Sequence, residues 1–144
     1  RELPNLVADG RPLLGVCLGL QLLAEGSEES PKDDGLGFIP GIVRRLGPGV
    51  KVPHLGWARV RQARANPLLP DPRLAWLHFQ HVFALEPCGE TLWTAEHGRA
   101  FSALEARGRV VAVQPDLHRS GVLGLGLLGK LLGWAGESPR AMGN

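Results

Sequence analysis

The sequence predicts a single α/β domain, with helices near its two ends and several short strands between them. An unbroken apolar run over residues 12–17, bounded by turn residues, is typical of a strand buried on both faces, as in a parallel sheet. The next segment, residues 18–25, carries its apolar side chains at helical spacing. The chain also contains 20 glycines and 12 prolines among 144 residues, and these interrupt it so often that its strands have to be short.

The elements are predicted in a regular order along the chain. A helix over residues 3–9 ends at Gly10, the usual position after a last turn. An acidic, polar loop over residues 27–36 follows the strand and helix just described. Six further strands are predicted over residues 38–46, 58–62, 76–85, 91–96, 102–106 and 110–114. A glycine-rich helix is predicted over residues 121–134, and residues 137–144 are predicted to be a flexible tail.

Composition and charge exclude several classes of protein. The chain has 16 Lys and Arg against 14 Asp and Glu, a net charge of +2, with no basic block. This balance predicts neither a nucleic-acid partner nor a membrane partner, and no apolar run reaches the ~18 residues that a membrane span needs. The two cysteines, Cys17 and Cys88, make no disulfide framework, so a reducing compartment, the cytoplasm, is expected.

Cys17 lies where the first strand should end and the helix begin, in the string Gly15-Val16-Cys17-Leu18-Gly19. Small residues two positions to either side of a nucleophile are typical of a nucleophile elbow, where strand and helix crowd the turn. We expect the helix N-terminus to favour the thiolate, and the Leu18 N–H to point at a developing oxyanion. The pattern alone leaves open a buried structural cysteine. Cys88 lies in a turn without such a setting and is interpreted as incidental.

Four segments carry a resemblance to a known family. The string Gly15-Val16-Cys17-Leu18-Gly19-Leu20-Gln21-Leu22-Leu23, followed by Gly26-Ser27-Glu28-Glu29, resembles the nucleophile segment of class I (triad-type) glutamine amidotransferases. Three further strings resemble the glutaminase subunits of imidazole glycerol phosphate synthases in particular: Gly35-Leu36-Gly37-Phe38-Ile39-Pro40-Gly41-Ile42-Val43, Lys51-Val52-Pro53-His54-Leu55-Gly56-Trp57 and Phe79-Gln80-His81-Val82-Phe83.

The resemblance implies a flavodoxin-like α/β fold and a cysteine that attacks the side-chain amide of glutamine. Ammonia would then pass to a cyclase subunit in a heterodimer for histidine biosynthesis, without a cofactor or metal. By resemblance, Gly19, Gln21 and Glu29 match positions of the glutamine pocket. The alternative for Gln21 and Glu29 is the ordinary polarity of an exposed helix and loop.

A second set of residues matches the segment that faces the cyclase and the ammonia passage. By resemblance these partner-facing positions are Pro53, His54, Gly56 and Trp57. The alternative is a turn followed by a core tryptophan.

The resemblance fails at the catalytic base. The family places a histidine and then a glutamate in a late segment, to which Gln114-Pro115-Asp116-Leu117-His118-Arg119-Ser120 corresponds here. Asp116 therefore stands at the position of the base and His118 at that of the orienting acid. Either His118 reaches Cys17 with Asp116 orienting it, or the pair is broken and the chemistry is strongly impaired, since small misplacements are costly in catalysis. His81 is a third option.

Two smaller expectations concern the strand over residues 76–85. His78 and His81 are three residues apart, so a strand points them to opposite faces, and no further ligands complete a zinc site. Trp76, Phe79 and Phe83 are predicted to be core residues.

Nothing in the chain matches the family's N-terminal portion. Residues 1–136 are therefore expected to form one N-terminally incomplete glutamine amidotransferase domain, whose first strand would have an exposed edge. The leading hypothesis is a glutaminase subunit. The alternatives are a degenerate glutaminase-like domain that still binds a cyclase, and a related cysteine hydrolase acting on another amide.

Overall fold

The computed structural model describes residues 2–73 and 75–137. Three α-helices and ten strands follow one another along these ranges, with a short 3-10 helix at Leu117–Arg119. The helices are α1 (Glu2–Ala8), α2 (Leu18–Leu23) and α3 (Gly121–Gly136). The strands are β1 (Leu13–Val16), β2 (Ala24–Ser27), β3 (Ile39–Arg45), β4 (His54–Arg59), β5 (Arg61–Gln62), β6 (Trp76–His81), β7 (Phe83–Leu85), β8 (Thr91–His97), β9 (Arg99–Arg107) and β10 (Val110–Val113).

The largest sheet has the strand order β1-β10-β9-β8-β5. Strand β1 runs parallel to β10, and the other neighbours are antiparallel. Within the described residues, β1 pairs on one side only and is the edge of this sheet. The expectation of a strand buried on both faces is therefore wrong, because only Gly15 in β1 is buried and Val16 is 38% exposed.

Two smaller sheets, β2-β3-β7 and β4-β6, complete the fold, and they account for the main differences from the predicted elements. Residues 24–27 leave the helical path and pair in parallel with β3. The segment predicted as one strand over residues 76–85 divides at Val82, because β6 pairs with β4 while β7 pairs with β3. The strand predicted to begin at residue 58 begins at His54, where it pairs with His81.

Two hydrophobic clusters form the core. The larger one joins the central sheet and β6 to α3, which contributes Leu127, Leu131 and Trp134. The smaller one packs α2 against β3 and β7 through residues such as Leu20 and Ile39.

The aromatic residues predicted for the core have different environments. Phe79 is fully buried as predicted, and Phe83 packs from a partly buried position. Trp76 was predicted to be core but is 52% exposed; it is the first residue of β6, in a sheet of two strands. No helix among the described residues is long and apolar enough to cross a membrane. The predicted tail lies outside the described residues, apart from Glu137.

Candidate active site

Cys17 occupies a sharp turn between β1 and α2, as the elbow prediction requires. Its backbone has φ 52° and ψ −106°, and it is the only non-glycine residue with positive φ in residues 2–73 and 75–137. An L-residue reaches this region only when the surrounding structure holds it there, and such strain is concentrated at functional sites. The elbow is therefore confirmed as a local structure.

The two glycines that flank the elbow differ in how tightly they are packed. A Cβ added at Gly15 would lie 2.6 Å from Leu23 Cδ1 and 2.9 Å from the carbonyl carbon of Gly19. A Cβ added at Gly19 would meet nothing within 4 Å. The expectation that crowding requires glycine on both sides holds at Gly15 and is wrong at Gly19.

The Cys17 thiol contacts the ends of two neighbouring segments. The side-chain amide nitrogen of Gln114 donates to Sγ at 3.8 Å, and Sγ donates to the carbonyl of Gln80 at 3.9 Å. The Cys17 N–H donates to the carbonyl of Val113 at 2.7 Å, which ties the elbow to the end of β10. Cys17 is half-buried, so it is not the inert core cysteine that the pattern alone left open.

The electrostatic setting of this thiol differs from the expectation. Burial is the largest effect and raises the pKa of Cys17, and the nearby Asp116 charge raises it further. Hydrogen bonds from the Leu18 backbone and the Gln114 side chain lower it by less. The Leu18 backbone favours the thiolate as expected, but burial and the Asp116 carboxylate outweigh it, so the pKa of Cys17 is raised rather than lowered.

The two exchanged residues of the late segment have different environments. Asp116 is buried, its N–H donates to the His78 carbonyl at 2.8 Å, and its Oδ2 lies 3.5 Å from Nδ1 of His78. His118 lies on the 3-10 helix and is exposed. Within the described residues, no hydrogen bond joins His118 to Cys17 or to Asp116. A catalytic role for the pair His118 and Asp116 stays a prediction, and the described partner of Asp116 is His78.

His81 is held away from Cys17 by its own hydrogen bonds. Its Nδ1 donates to the Phe83 carbonyl at 2.8 Å, so its Nε2 accepts from Nδ1 of His54 at 2.9 Å. Both nitrogens of His81 are therefore occupied on the side of β6 opposite to His78. The expectation that His78 and His81 face opposite sides is confirmed.

The predicted substrate residues lie around the start of α2. Gln21 and Glu29 line one surface hollow of about 240 Å³ together with Leu18, the residue after the nucleophile, and the carboxylates of Asp33 and Asp34. The side-chain nitrogen of Gln21 donates to the Phe83 carbonyl at 3.3 Å, which leaves its oxygen as an acceptor. Gly19 is half-buried and does not line this hollow.

The predicted partner-facing residues divide into exposed and buried ones. Pro53 is exposed, Trp57 is 52% exposed, and Gly56 has φ 136°, a backbone conformation that favours glycine. Trp57 is therefore not a core tryptophan. His54 is only 6% exposed and stacks on His97 at 4.2 Å between ring centroids. The His54 ring therefore lies inside the described fold, and its predicted partner-facing role stays a prediction.

Sequence reasoning missed three buried polar residues, two of them beside Cys17. Gln114 served only to set the register of the late segment, although its buried side chain donates to the Cys17 thiol. His78 was considered only as a metal ligand, and its pairing with Asp116 spans 38 positions. Glu105, on β9, is a fully buried carboxylate that accepts from the Cys88 thiol, and no sequence motif singles it out. Among residues 2–73 and 75–137, no three His, Cys, Asp or Glu side chains are grouped to hold a metal ion.

Comparisons with known proteins agree on one family. No family model matches the chain. It is 40% identical over 127 residues to the imidazole glycerol phosphate synthase subunit HisH of Streptococcus gordonii, covering 86% of this chain and 61% of that protein. It is 39% identical over 132 residues to the chloroplastic imidazole glycerol phosphate synthase hisHF of Arabidopsis thaliana, covering 88% of this chain and 22% of that protein.

Solved structures show the same fold. A glutamine amidotransferase crystal structure matches with a TM-score of 0.63 at 22% identity, over 94% of this chain and 67% of that one. A second glutamine amidotransferase, from Thermotoga maritima, matches with a TM-score of 0.59 at 20% identity, over 96% of this chain and 56% of that one.

The chain has the fold of glutamine amidotransferases, and its elbow at Cys17 lies at a turn from strand to helix within that fold. The curated relatives that it resembles are HisH subunits of imidazole glycerol phosphate synthase. The chain spans about three fifths of the length of the HisH subunits that it matches.

Proposed function

We propose that residues 1–136 form a glutaminase module of imidazole glycerol phosphate synthase, in which Cys17 attacks the side-chain amide of glutamine. One observation carries the proposal: Cys17 alone among the described non-glycine residues has positive φ, at a turn from strand to helix. Such a turn presents the sulfur at the end of the sheet and places the Leu18 N–H beside it. The identity with HisH subunits supports the choice of substrate.

The reaction needs the thiol proton to be removed before the sulfur bonds to the amide carbon. The carbon–nitrogen bond then breaks, ammonia leaves with a proton, and a glutamyl thioester remains on Cys17. Water hydrolyses the thioester to glutamate and restores the thiol. The Leu18 N–H is placed to bind the oxyanion in both steps, and the hollow beside it holds carboxylates suited to the substrate's α-ammonium group.

The proposed partners are glutamine and a cyclase subunit that receives the ammonia in a heterodimer. Leu55 and Trp57 project from β4 with more than half of each side chain exposed, and they offer an apolar surface to the cyclase. Pro53 and Gly56 belong to the same strand region. A cytoplasmic location stays a prediction.

A second candidate is a degenerate glutaminase-like domain that binds a cyclase but turns over glutamine poorly. The environment of Cys17 favours it, because burial and Asp116 both raise the pKa of the thiol and the predicted base His118 is exposed. Under this proposal the surface around Trp57 still binds the cyclase, whereas hydrolysis of glutamine at Cys17 is lost.

The decisive experiment measures ammonia released from glutamine by the full chain mixed with the cyclase subunit of an imidazole glycerol phosphate synthase. We expect release that Cys17→Ser abolishes and the matched variant Cys88→Ser leaves intact. Loss of activity in His118→Asn would support the predicted pair with Asp116. Binding of the cyclase without ammonia release would support the degenerate domain, and release from other amides but not from glutamine would indicate a different hydrolase.

A further inference from the structure

His78 is a buried histidine to which the sequence motifs assign no catalytic role. It is 9% exposed, and its Nδ1 is buried without a hydrogen-bond partner in the described structure. The same Nδ1 lies 3.5 Å from Oδ2 of Asp116, which is also buried. A buried imidazole beside a buried carboxylate is the usual arrangement of a charge pair, because each group alone would be costly to bury.

The backbone places this pair beside the nucleophile. Strand β6 contacts the Cys17 thiol through the Gln80 carbonyl and carries His78 two residues earlier. The segment after β10 contacts the thiol through Gln114 and carries Asp116 two residues later. The Asp116 N–H donates to the His78 carbonyl and the Ser120 hydroxyl to the Asp116 carbonyl, so both residues are fixed at the main chain.

Within the described part of the chain, Asp116 is the carboxylate in ion-pair distance of His78. Trp57 on β4 packs its ring edge-on against His78, with 5.9 Å between ring centroids. His54, also on β4, interacts electrostatically with His78, and this interaction lowers rather than raises the pKa of His54. Arg119 on the 3-10 helix donates to the Gln80 side chain instead of to Asp116.

A carboxylate next to Cys17 opposes the thiolate that the reaction requires. Two negative charges close together destabilise each other. A positive charge beside one of them relieves this repulsion. His78 is the cationic side-chain type that faces Asp116 at 3.5 Å, and an imidazolium there would let the thiolate form beside a neutral pair rather than beside a bare carboxylate.

We propose that His78 is the positioning residue of this active site: it holds Asp116 and offsets its charge, and it acts on Cys17 through Asp116. This inference rests on the proposed glutaminase function for its purpose, but the charge arrangement at Cys17 is testable without glutamine. It assigns the imidazole that acts on this cysteine to β6 rather than to His118 on the 3-10 helix.

The test measures the rate of Cys17 alkylation by iodoacetamide against pH in the full chain carrying Cys88→Ser, so that one thiol reacts. In His78→Asn and His78→Gln we expect the midpoint to move to higher pH and the rate at pH 7 to fall by roughly three- to tenfold, since a charge within ~6 Å shifts a pKa by about one unit. Asp116→Asn should raise the rate. In the Asp116→Asn background, His78→Asn should change nothing further. His118→Asn should leave the profile unchanged.

Several results would overturn the proposal. They are an unchanged profile in both His78 variants, an equal His78 effect with and without Asp116, or a shift produced by His118→Asn instead. Circular dichroism on every variant identifies any that fails to fold, and the two His78 replacements give independent chances of a folded protein. A shifted profile in a chain that releases no ammonia from glutamine would refute the glutaminase function while supporting this inference.

Discussion

Nδ1 of His54 donates a hydrogen bond of 2.9 Å to Nε2 of His81, and this bond joins β4 to β6 inside the protein. The direction of the bond follows from the Phe83 carbonyl, which takes the proton on Nδ1 of His81. A proton added to Nε2 of His81 would break this hydrogen bond. Burial is the largest cause that lowers the pKa of His54, to about 4, and it also lowers the pKa of His81.

This pair predicts a loss of stability in acid. A histidine whose pKa is lower in the folded state takes up its proton mainly when the chain unfolds, so stability present at neutral pH is lost as the pH falls below ~6.5 towards 4. Between pH 7 and pH 5 we expect the wild-type free energy of unfolding to fall by on the order of 1–2 kcal/mol more than that of His54→Gln. Urea titrations at the two pH values measure it. Equal losses in the two proteins would contradict the prediction.

The backbone of Cys17 predicts that glycine is better tolerated there than alanine. Both Cys17→Gly and Cys17→Ala remove the sulfur and should abolish ammonia release. Only glycine relieves the strain of φ 52°, so Cys17→Gly should be the more stable of the two by about 1–2 kcal/mol. Denaturant unfolding measures the free energy of unfolding of both variants. A Cys17→Ala variant as stable as Cys17→Gly would mean that the turn is unstrained.

Gly15 and Gly19 form a matched pair for a test of packing at the elbow. Gly15→Ala should destabilise the chain by about 1–3 kcal/mol, because the new Cβ meets Leu23 and the Gly19 backbone. Gly19→Ala should be close to neutral, since its Cβ enters open space inside α2. Thermal denaturation compares the Tm of the two variants.

The same Gly19→Ala variant tests the predicted role of Gly19 in substrate binding. A raised KM for glutamine with unchanged stability would support that role.

The buried carboxyl of Glu105 should make stability depend on pH in the opposite direction from the His54–His81 pair. It accepts hydrogen bonds from Thr91, Ser102 and Cys88, yet burial raises its pKa above the ordinary value. The stability that protonated Glu105 contributes is present below the pKa that this carboxyl has in the unfolded chain. It is lost as the pH rises through the higher pKa of the folded protein. Glu105→Gln should therefore flatten the decline of Tm between pH 5 and pH 8, whereas the exposed control Glu96→Gln should not. A steeper decline in Glu105→Gln would be the contrary result.

Trp57 predicts where a cyclase binds. Its half-exposed ring lies on β4 beside the exposed Leu55. Trp57→Ala should weaken binding of the cyclase at least about tenfold, as loss of an aromatic anchor does at protein interfaces, and should leave Tm nearly unchanged. The control Leu132→Ala removes a comparably exposed apolar side chain from α3. Isothermal titration calorimetry compares the three proteins, and equal losses in both variants would place the interface elsewhere.

The order of most elements could be predicted because it rests on local signals. The turn at Cys17 needs only an apolar run, flanking glycines and a helical segment, all within a dozen residues. Strand β2 could not be predicted, because residues 24 and 25 end the predicted helix, residue 27 begins the predicted loop, and residues 24–27 become a strand only by pairing with β3. The division of residues 76–85 at Val82 has the same cause, since the two halves pair with different strands.

The sequence by itself determined the resemblance to glutamine amidotransferases, the turn at Cys17 and the exchange of residue types at Asp116 and His118. Only the tertiary structure decided that Asp116 lies against His78, that Gln114 binds the thiol, and that His54 points inward while Trp57 points outward. The physical reason is distance along the chain. A turn is specified by neighbouring residues, whereas the charge beside a buried thiol depends on which strands the sheets bring together.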